Sequence, residues 1–256
     1  KTNQLAKIES DFGSMLARVQ ITDAQRAGEV FVPMHWTAQE SSNGRMGALV
    51  NPMVDPISKQ PESKHTPVKI SRYKSEWQGF ILSRRELAIS ELEYWVKNKG
   101  EGFYRYELAG EKSLENLADF ARSCLCKNEN IAPQWQEYSD STQGNYRAAR
   151  FVEGRLESVF FITAKHELPS RNWLISLFAK NELTKAERLA VLTGIPPIGG
   201  EDVGTIVCAC FNIGEKTIQK AIKEQGLKTH QEIGNCLKAG TNCGSCIPEI
   251  KALLIS

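Results

Sequence analysis

Four cysteines stand in two close pairs near the end of this 256-residue chain. Cys208 and Cys210 are separated by one residue, Cys243 and Cys246 by two, and 32 residues lie between the pairs. Thiols so spaced reach one metal centre from a single turn of backbone, and the stretch between is long enough for two helices that bring the pairs together. Structural zinc, an iron–sulfur cluster and two disulfides all use such a quartet. The chain has seven cysteines, an odd number, and its first residues carry no apolar export signal, which favours reduced thiols and a cytoplasmic setting. Cys124 and Cys126 have no second pair at comparable spacing and read as thiols borne on a helix, and Cys236 as a buried apolar residue.

The elements that must position the quartet are legible. Ile218, Ile222 and Leu227 mark one apolar helix face, with Gly226 placed to end that helix. Thr229 with Glu232 three residues on is a capping box that opens a second helix, which Gly240 ends. Gly240 and Gly244 let backbone amides approach sulfur closely. Pro248 suits the first turn of a last helix, which starts at the site with its positive end toward a bound anion. The first helix is expected to begin likewise, directly after Cys210.

Val207-Cys208-Ala209-Cys210, Ile218, Ile222 and the run Ala239-Gly240-Thr241-Asn242-Cys243-Gly244-Ser245-Cys246-Ile247-Pro248-Glu249-Ile250 closely resemble the 2Fe-2S domain of the bacterioferritin-associated-ferredoxin type. The resemblance covers about the last 50 residues. It implies that Cys208, Cys210, Cys243 and Cys246 all ligate a cluster that carries single electrons in a small all-helical fold. Thr or Ser is common in the family where this sequence has Gly214, which implies a less firmly capped first helix.

Ahead of this domain, residues 1–72 read as short strands at Leu5–Ser10, Met15–Thr22, Glu29–Met34 and Pro67–Ser71. A long irregular stretch, Thr37–Thr66, interrupts them. Arg26-Ala27-Gly28-Glu29-Val30-Phe31-Val32-Pro33-Met34-His35-Trp36-Thr37, with Asp55-Pro56-Ile57-Ser58-Lys59-Gln60-Pro61-Glu62-Ser63-Lys64-His65-Thr66-Pro67-Val68, resembles the end of the molybdopterin-dinucleotide-binding, double-psi-like β-barrel. The order of the two domains is similar to the assimilatory nitrate reductase branch of the molybdenum oxidoreductases. That likeness implies cofactor contacts at His35, Trp36 and Lys64: an aromatic face and an imidazole beside a flat pterin, and a cation for its phosphates or polar edge. The family often has Asn where this sequence has Gly47.

Residues 73–200 read as an α+β connector. Helices are expected at Ser83–Asn98, Ser113–Lys127, Arg171–Lys180 and Lys185–Leu192, strands at Asn145–Val152 and Leu156–Ala164 around Glu153-Gly154-Arg155, and a linker at Ile195–Gly200. The fold class is therefore α+β and multidomain: a partial barrel at 1–72, a connector at 73–200 and a helical iron–sulfur domain at 201–256. Apolar residues at 41% fit a globular chain, and 32 basic against 30 acidic residues leave no electrostatic footprint for nucleic acid. No run approaches the roughly 18 apolar residues of a membrane-spanning helix.

What the resemblance implies is the C-terminal part of an enzyme that reduces nitrate to nitrite. Electrons enter the 2Fe-2S cluster from a flavoprotein or ferredoxin. A molybdenum–bis(molybdopterin guanine dinucleotide) cofactor is only partly enclosed by this segment, and a 4Fe-4S cluster and the catalytic residues belong to an upstream part of the same polypeptide. Without an initiating Met, the chain reads as starting mid-protein. Two alternatives stay open: a zinc-stabilised protein-interaction module, and the electron-transfer tail of a different molybdopterin oxidoreductase.

Overall fold

The computed structural model describes residues 4–23, 25–34, 36–62, 65–89, 92–126, 134–164, 168–197, 203–208, 211, 213–241 and 244–255. The chain divides into two compact units, Lys1–Pro169 with Leu177–Leu183, and Ser170–Ser176 with Thr184–Ser256.

The first unit opens with an antiparallel hairpin of β1 (Leu5–Glu9) and β2 (Ser14–Arg18), and β3 (Lys69–Arg72) pairs with the other edge of β1. Strand alternation separates two small cores. Ile8 and Met15 face Leu49, whereas Leu5 and Leu16 face Tyr94 and Ala109. The expected strand at Glu29–Met34 does not form; Val30, Phe31 and Met34 lie outside regular structure and are exposed. Across residues 1–72 the described residues make this open three-stranded sheet and no closed barrel, because strands of four and five residues in this number cannot close one.

A six-stranded antiparallel sheet dominates the unit. It comprises β4 (Trp77–Ser83), β5 (Tyr94–Gly100), β6 (Phe103–Gly110), then, after helix α1 (Leu117–Leu125), β7 (Gln134–Asp140), β8 (Asn145–Val152) and β9 (Arg155–Thr163), in the order β5-β6-β4-β9-β8-β7. β4 is buried at every position because both faces of the sheet are covered there. On one face Ile81, Tyr146, Phe160 and Ile162 pack with Ala121 and Leu125 of α1. On the other, Phe80 stacks on Phe161 with ring centroids 4.9 Å apart. Each such side chain contributes about 1.5–3 kcal/mol on burial. Glu153 and Gly154 form the two-residue turn between β8 and β9, both at positive φ (50° and 82°), as a tight hairpin requires.

Ser83–Asn98 is not a helix. β4 ends at Ser83 and β5 begins at Tyr94, with residues 90–91 outside the described set. Tyr94 and Trp95 point to opposite faces of β5, into different cores, and this two-sided burial mimics helical spacing in the sequence. The helix expected at Ser113–Lys127 is present as the shorter α1, whose N-cap Asn116 accepts from the amides of Ala118 and Asp119.

The second unit takes in part of α2 (Asn172–Leu177), which crosses the division, and α3 (Lys185–Ala190), opened by a Thr184–Glu187 capping box. Of the expected linker, residues 198–200 lie outside the described set. Beyond it come β10 (Ile206–Cys208) and β11 (Ile213–Gly214), a short antiparallel pair, then α4 (Glu215–Gln225), α5 (His230–Leu237) and α6 (Ile247–Leu253). The β10–β11 pair departs from the all-helical expectation. No helix among the described residues is long and apolar enough to cross a membrane.

Glu137 ties α1 to the edge strand β7. Its carboxylate accepts from Tyr146 Oη at 2.6 Å, Trp135 Nε1 at 2.8 Å and Arg122 Nη2 at 2.9 and 3.0 Å. These donors, the Tyr146 hydroxyl foremost and then the Trp135 indole, hold the carboxyl below the usual carboxylate range. A depressed carboxyl contributes stability above its unfolded value near pH 4.3 and loses it as pH falls through the folded value. Because the side chain is 38% exposed, the network is screened. Glu137→Gln is expected to cost about 1 kcal/mol in urea unfolding at pH 7, and the gap between variant and parent is expected to close below about pH 4.

Candidate metal centre

Two of the four cysteines predicted to act together are described, and they meet. Cys208 at the end of β10 is 2% exposed and Cys246 at the N-cap of α6 is 4% exposed. Both lie in one apolar cluster with Ile218, Ile233, Ala239 and Ile250. Their sulfurs are hydrogen-bonded to each other and both are free thiols. Burial, and then the Cys208 thiol, push the Cys246 thiol well above its ordinary value, while the N–H of Gly240 donates to Cys246 and pulls the other way. A thiol so placed stays protonated at neutral pH until a cation supplies the compensating charge, which is the role of a metal.

The donor set therefore fits a thiophilic metal or an iron–sulfur cluster: buried sulfur, apolar surroundings and a backbone amide aimed at a sulfur. Cys210 and Cys243 lie outside the described residues. Among the described residues no group of three or more His, Cys, Asp or Glu side chains converges.

The neighbouring elements start and stop for local reasons. Ile218 and Ala221 bury one face of α4, and Gly226, in the left-handed region at φ 64°, stops it. In the capping box of α5, Thr229 Oγ1 accepts from Glu232 N at 3.2 Å, and Glu232 Oε2 accepts from Thr229 N at 3.1 Å. That helix ends at Leu237 with Lys238 as its left-handed cap, short of the expected Gly240. Gly240 is used instead in the turn that follows, where φ 82° accompanies the amide donated to Cys246. α6 begins directly after Cys246, with Pro248 in its first turn where no N–H is needed.

The first helix differs from expectation. α4 starts at Glu215, not directly after Cys210, and its first amides are occupied: Glu215 N donates to Thr205 O at 2.7 Å and Lys216 N to Val203 O at 3.0 Å. Backbone carbonyls thus replace the side-chain cap that Thr or Ser would supply. Gly214 makes no side-chain cap, and a Cβ there would stand 1.9 Å from Val203 O. Nothing in the residue pattern marked Val203 and Thr205 for this role; Gly214 was the visible trace of it. Cys236 also departs from expectation: it is exposed on α5, with its Sγ 3.3 Å from Gln225 Oε1.

In the first unit, Trp36 is half-buried and lines two clefts, of about 310 and 500 Å³. His35 and Lys64 lie outside the described residues. Gly47 sits in a short 3-10 turn, Met46–Ala48, with open space where a side chain would project.

Comparison with known proteins assigns both ends of the chain. Residues 206–256 match the BFD-like 2Fe-2S binding domain and residues 1–67 the molybdopterin dinucleotide binding domain. A molybdopterin dinucleotide binding region thus precedes a 2Fe-2S binding domain in this chain. More particularly, the chain is 35% identical to a nitrate reductase of Klebsiella oxytoca over 254 residues, 98% of this chain and 28% of that protein. A nitrate reductase of Synechocystis is 41% identical over 59 residues, 23% of this chain and 8% of that protein. The nitrogen fixation protein NifU of Leptolyngbya boryana is 39% identical over 54 residues, 21% of this chain and 26% of that protein. No solved structure matches. These likenesses support a C-terminal nitrate reductase region, and the chain spans about a quarter of the length of the Klebsiella relative. The cofactors of the two domains are a 2Fe-2S cluster and molybdopterin dinucleotide.

Gly214→Ala is expected to lower the stability of the C-terminal unit by about 1–3 kcal/mol, since Val203 must move off the amide it caps. Its thermal midpoint and retained iron should both fall. An unchanged midpoint with full iron would contradict the backbone-cap account.

Proposed function

We propose that this chain is the electron-input end of a molybdenum nitrate reductase working in nitrate assimilation. Cys208, Cys210, Cys243 and Cys246 hold the 2Fe-2S cluster, and an electron-donating flavoprotein or ferredoxin reduces it. A bound cluster supplies one-electron redox chemistry. The observation that carries this reading is the meeting of the Cys208 and Cys246 thiols, 38 positions apart in sequence, in one buried apolar cluster. The apolar walls exclude water from the sulfurs, and Gly240 N–H stabilises negative charge on Cys246.

His35, Trp36 and Lys64 are proposed as pterin contacts. The proposed organisation is a barrel portion at 1–72, an α+β connector at 73–200 and the iron–sulfur domain from 201. On this proposal, the open sheet of β1, β2 and β3 is completed into a barrel by an upstream part of the polypeptide, which also carries the 4Fe-4S cluster and the residues that act on nitrate. The proposed compartment is the cytoplasm, in keeping with free thiols at all five described cysteines.

Replacing Cys246 by Ser in the complete enzyme tests this reading. Nitrite formation driven by the physiological donor is expected to be abolished, together with the EPR signal of the reduced 2Fe-2S centre. Unchanged donor-driven nitrite formation and an unchanged signal would sink the reading. A colourless wild-type C-terminal domain carrying zinc would establish the interaction-module alternative in its place.

A further inference from the structure

The segment from Lys238 to Cys246 joins α5 to α6 and carries two of the four cysteines proposed above as cluster ligands, Cys243 and Cys246. A segment that holds ligands has to keep its shape while the cluster gains and loses an electron. Its start is pinned to α5. Thr241 Oγ1 donates to Lys238 O at 2.7 Å, and the Thr241 methyl carbon Cγ2 lies 3.0 Å from the point where a Cβ of Gly234 would stand. Gly234 is buried on α5, so the side chain missing there makes room for Thr241.

The other end is held from α6. Ile247, the first residue of that helix, donates its N–H to Gly244 O at 3.1 Å. Its Cγ1 lies 3.2 Å from the place a Cβ of Gly240 would take, and its Cδ1 lies 3.4 Å from the corresponding place at Gly244. Both glycines are in the left-handed region, at φ 82° and 72°, so one side chain rests on two positions whose backbone favours glycine. The amide of Gly240 is the one that donates to the Cys246 sulfur.

Ile247 is half-buried, and among the described residues the apolar cluster that encloses the sulfurs takes in Ile250 of the same helix but not Ile247. A side chain packed on a ligand-bearing turn and left out of the core acts on the shape of the turn more than on the stability of the unit.

We infer that Ile247 is a positioning residue for the 2Fe-2S cluster: resting on Gly240 and Gly244, it keeps the Gly240 amide directed at Cys246 and thereby makes the cluster easier to reduce. This rests on the cluster reading proposed above. Reduction adds negative charge that the ligating sulfurs share, and an amide donor on one of them stabilises the reduced form more than the oxidised form. Without the side chain the turn is free to carry that amide away, and the potential falls. The atom that matters is Cγ1, over Gly240. Val keeps that atom and Ala does not.

Spectroelectrochemical titration of the full chain loaded with iron and sulfide tests this. In Ile247→Ala the ratio of reduced to oxidised cluster at a fixed potential is expected to fall about 10-fold, a downward shift of about 59 mV for a one-electron couple. Ile247→Val loses only Cδ1 and is expected to titrate with the parent. Hydrogen exchange of the Gly240 amide in the metal-free chain reads the same contact without a cluster, and it is expected to be faster in Ile247→Ala than in the parent and Ile247→Val. An unchanged or raised potential in loaded Ile247→Ala, an equal fall in Ile247→Val, or one Gly240 exchange rate shared by all three chains would each overturn the inference. A parent chain that takes up neither iron nor sulfide would overturn the cluster reading itself, and this inference with it.

Discussion

Two sulfur atoms must share one small apolar interior, and the C-terminal unit is arranged around that requirement. A segment of some 50 residues buries too little apolar surface to be firmly stable on its hydrophobic core alone. Here the core cluster of Ile218, Ile233, Ala239 and Ile250 includes Cys208 and Cys246 themselves. Each flanking element is closed by a local device that leaves the sulfurs in place: carbonyls of Val203 and Thr205 on α4, the Thr229–Glu232 box on α5, and Cys246 at the head of α6. A metal or cluster there serves the fold and the chemistry together, since ligation removes the cost of keeping thiols buried next to one another.

The first unit meets a different constraint. Its six-stranded sheet is covered on both faces at the centre, so β4 and β9 have no water-facing side over most of their length. Such a scaffold needs no metal. Charge is matched at Glu137 between Arg122, Trp135 and Tyr146, and at Glu107 between Arg18 and Arg105. The Glu137 network fastens α1 to the sheet. The Glu107 network faces a cleft.

How much of this was legible in the sequence depended on whether a residue acted locally. The Thr229–Glu232 box, Gly226, Pro248 and the Glu153–Gly154 turn are short-range signals, and the structure realises each of them; of the cysteine quartet it brings together the two described members, Cys208 and Cys246. Strand β4 has no visible period because burial on both faces erases the alternation that marks a half-exposed strand, and the end of β6 is buried in the same way. The pair Tyr94–Trp95 went further and imitated a helix. Gly214 shows the same limit at the site: its reason is a carbonyl eleven residues earlier, at Val203, and no local pattern encodes that contact. The Glu107 cleft had only the spacing of Arg105 and Glu107 on one strand face as a hint, and that spacing is common on solvated strands.

The central claim is that the buried sulfur pair belongs to a cluster ligand set and not to a zinc knot or a packed thiol core. Elemental and acid-labile sulfide analysis of the purified 256-residue chain addresses this most directly. The account predicts iron and inorganic sulfide in equal amounts, about two of each per chain, with negligible zinc. One zinc per chain without sulfide, or a stably folded C-terminal unit free of any metal, would contradict it.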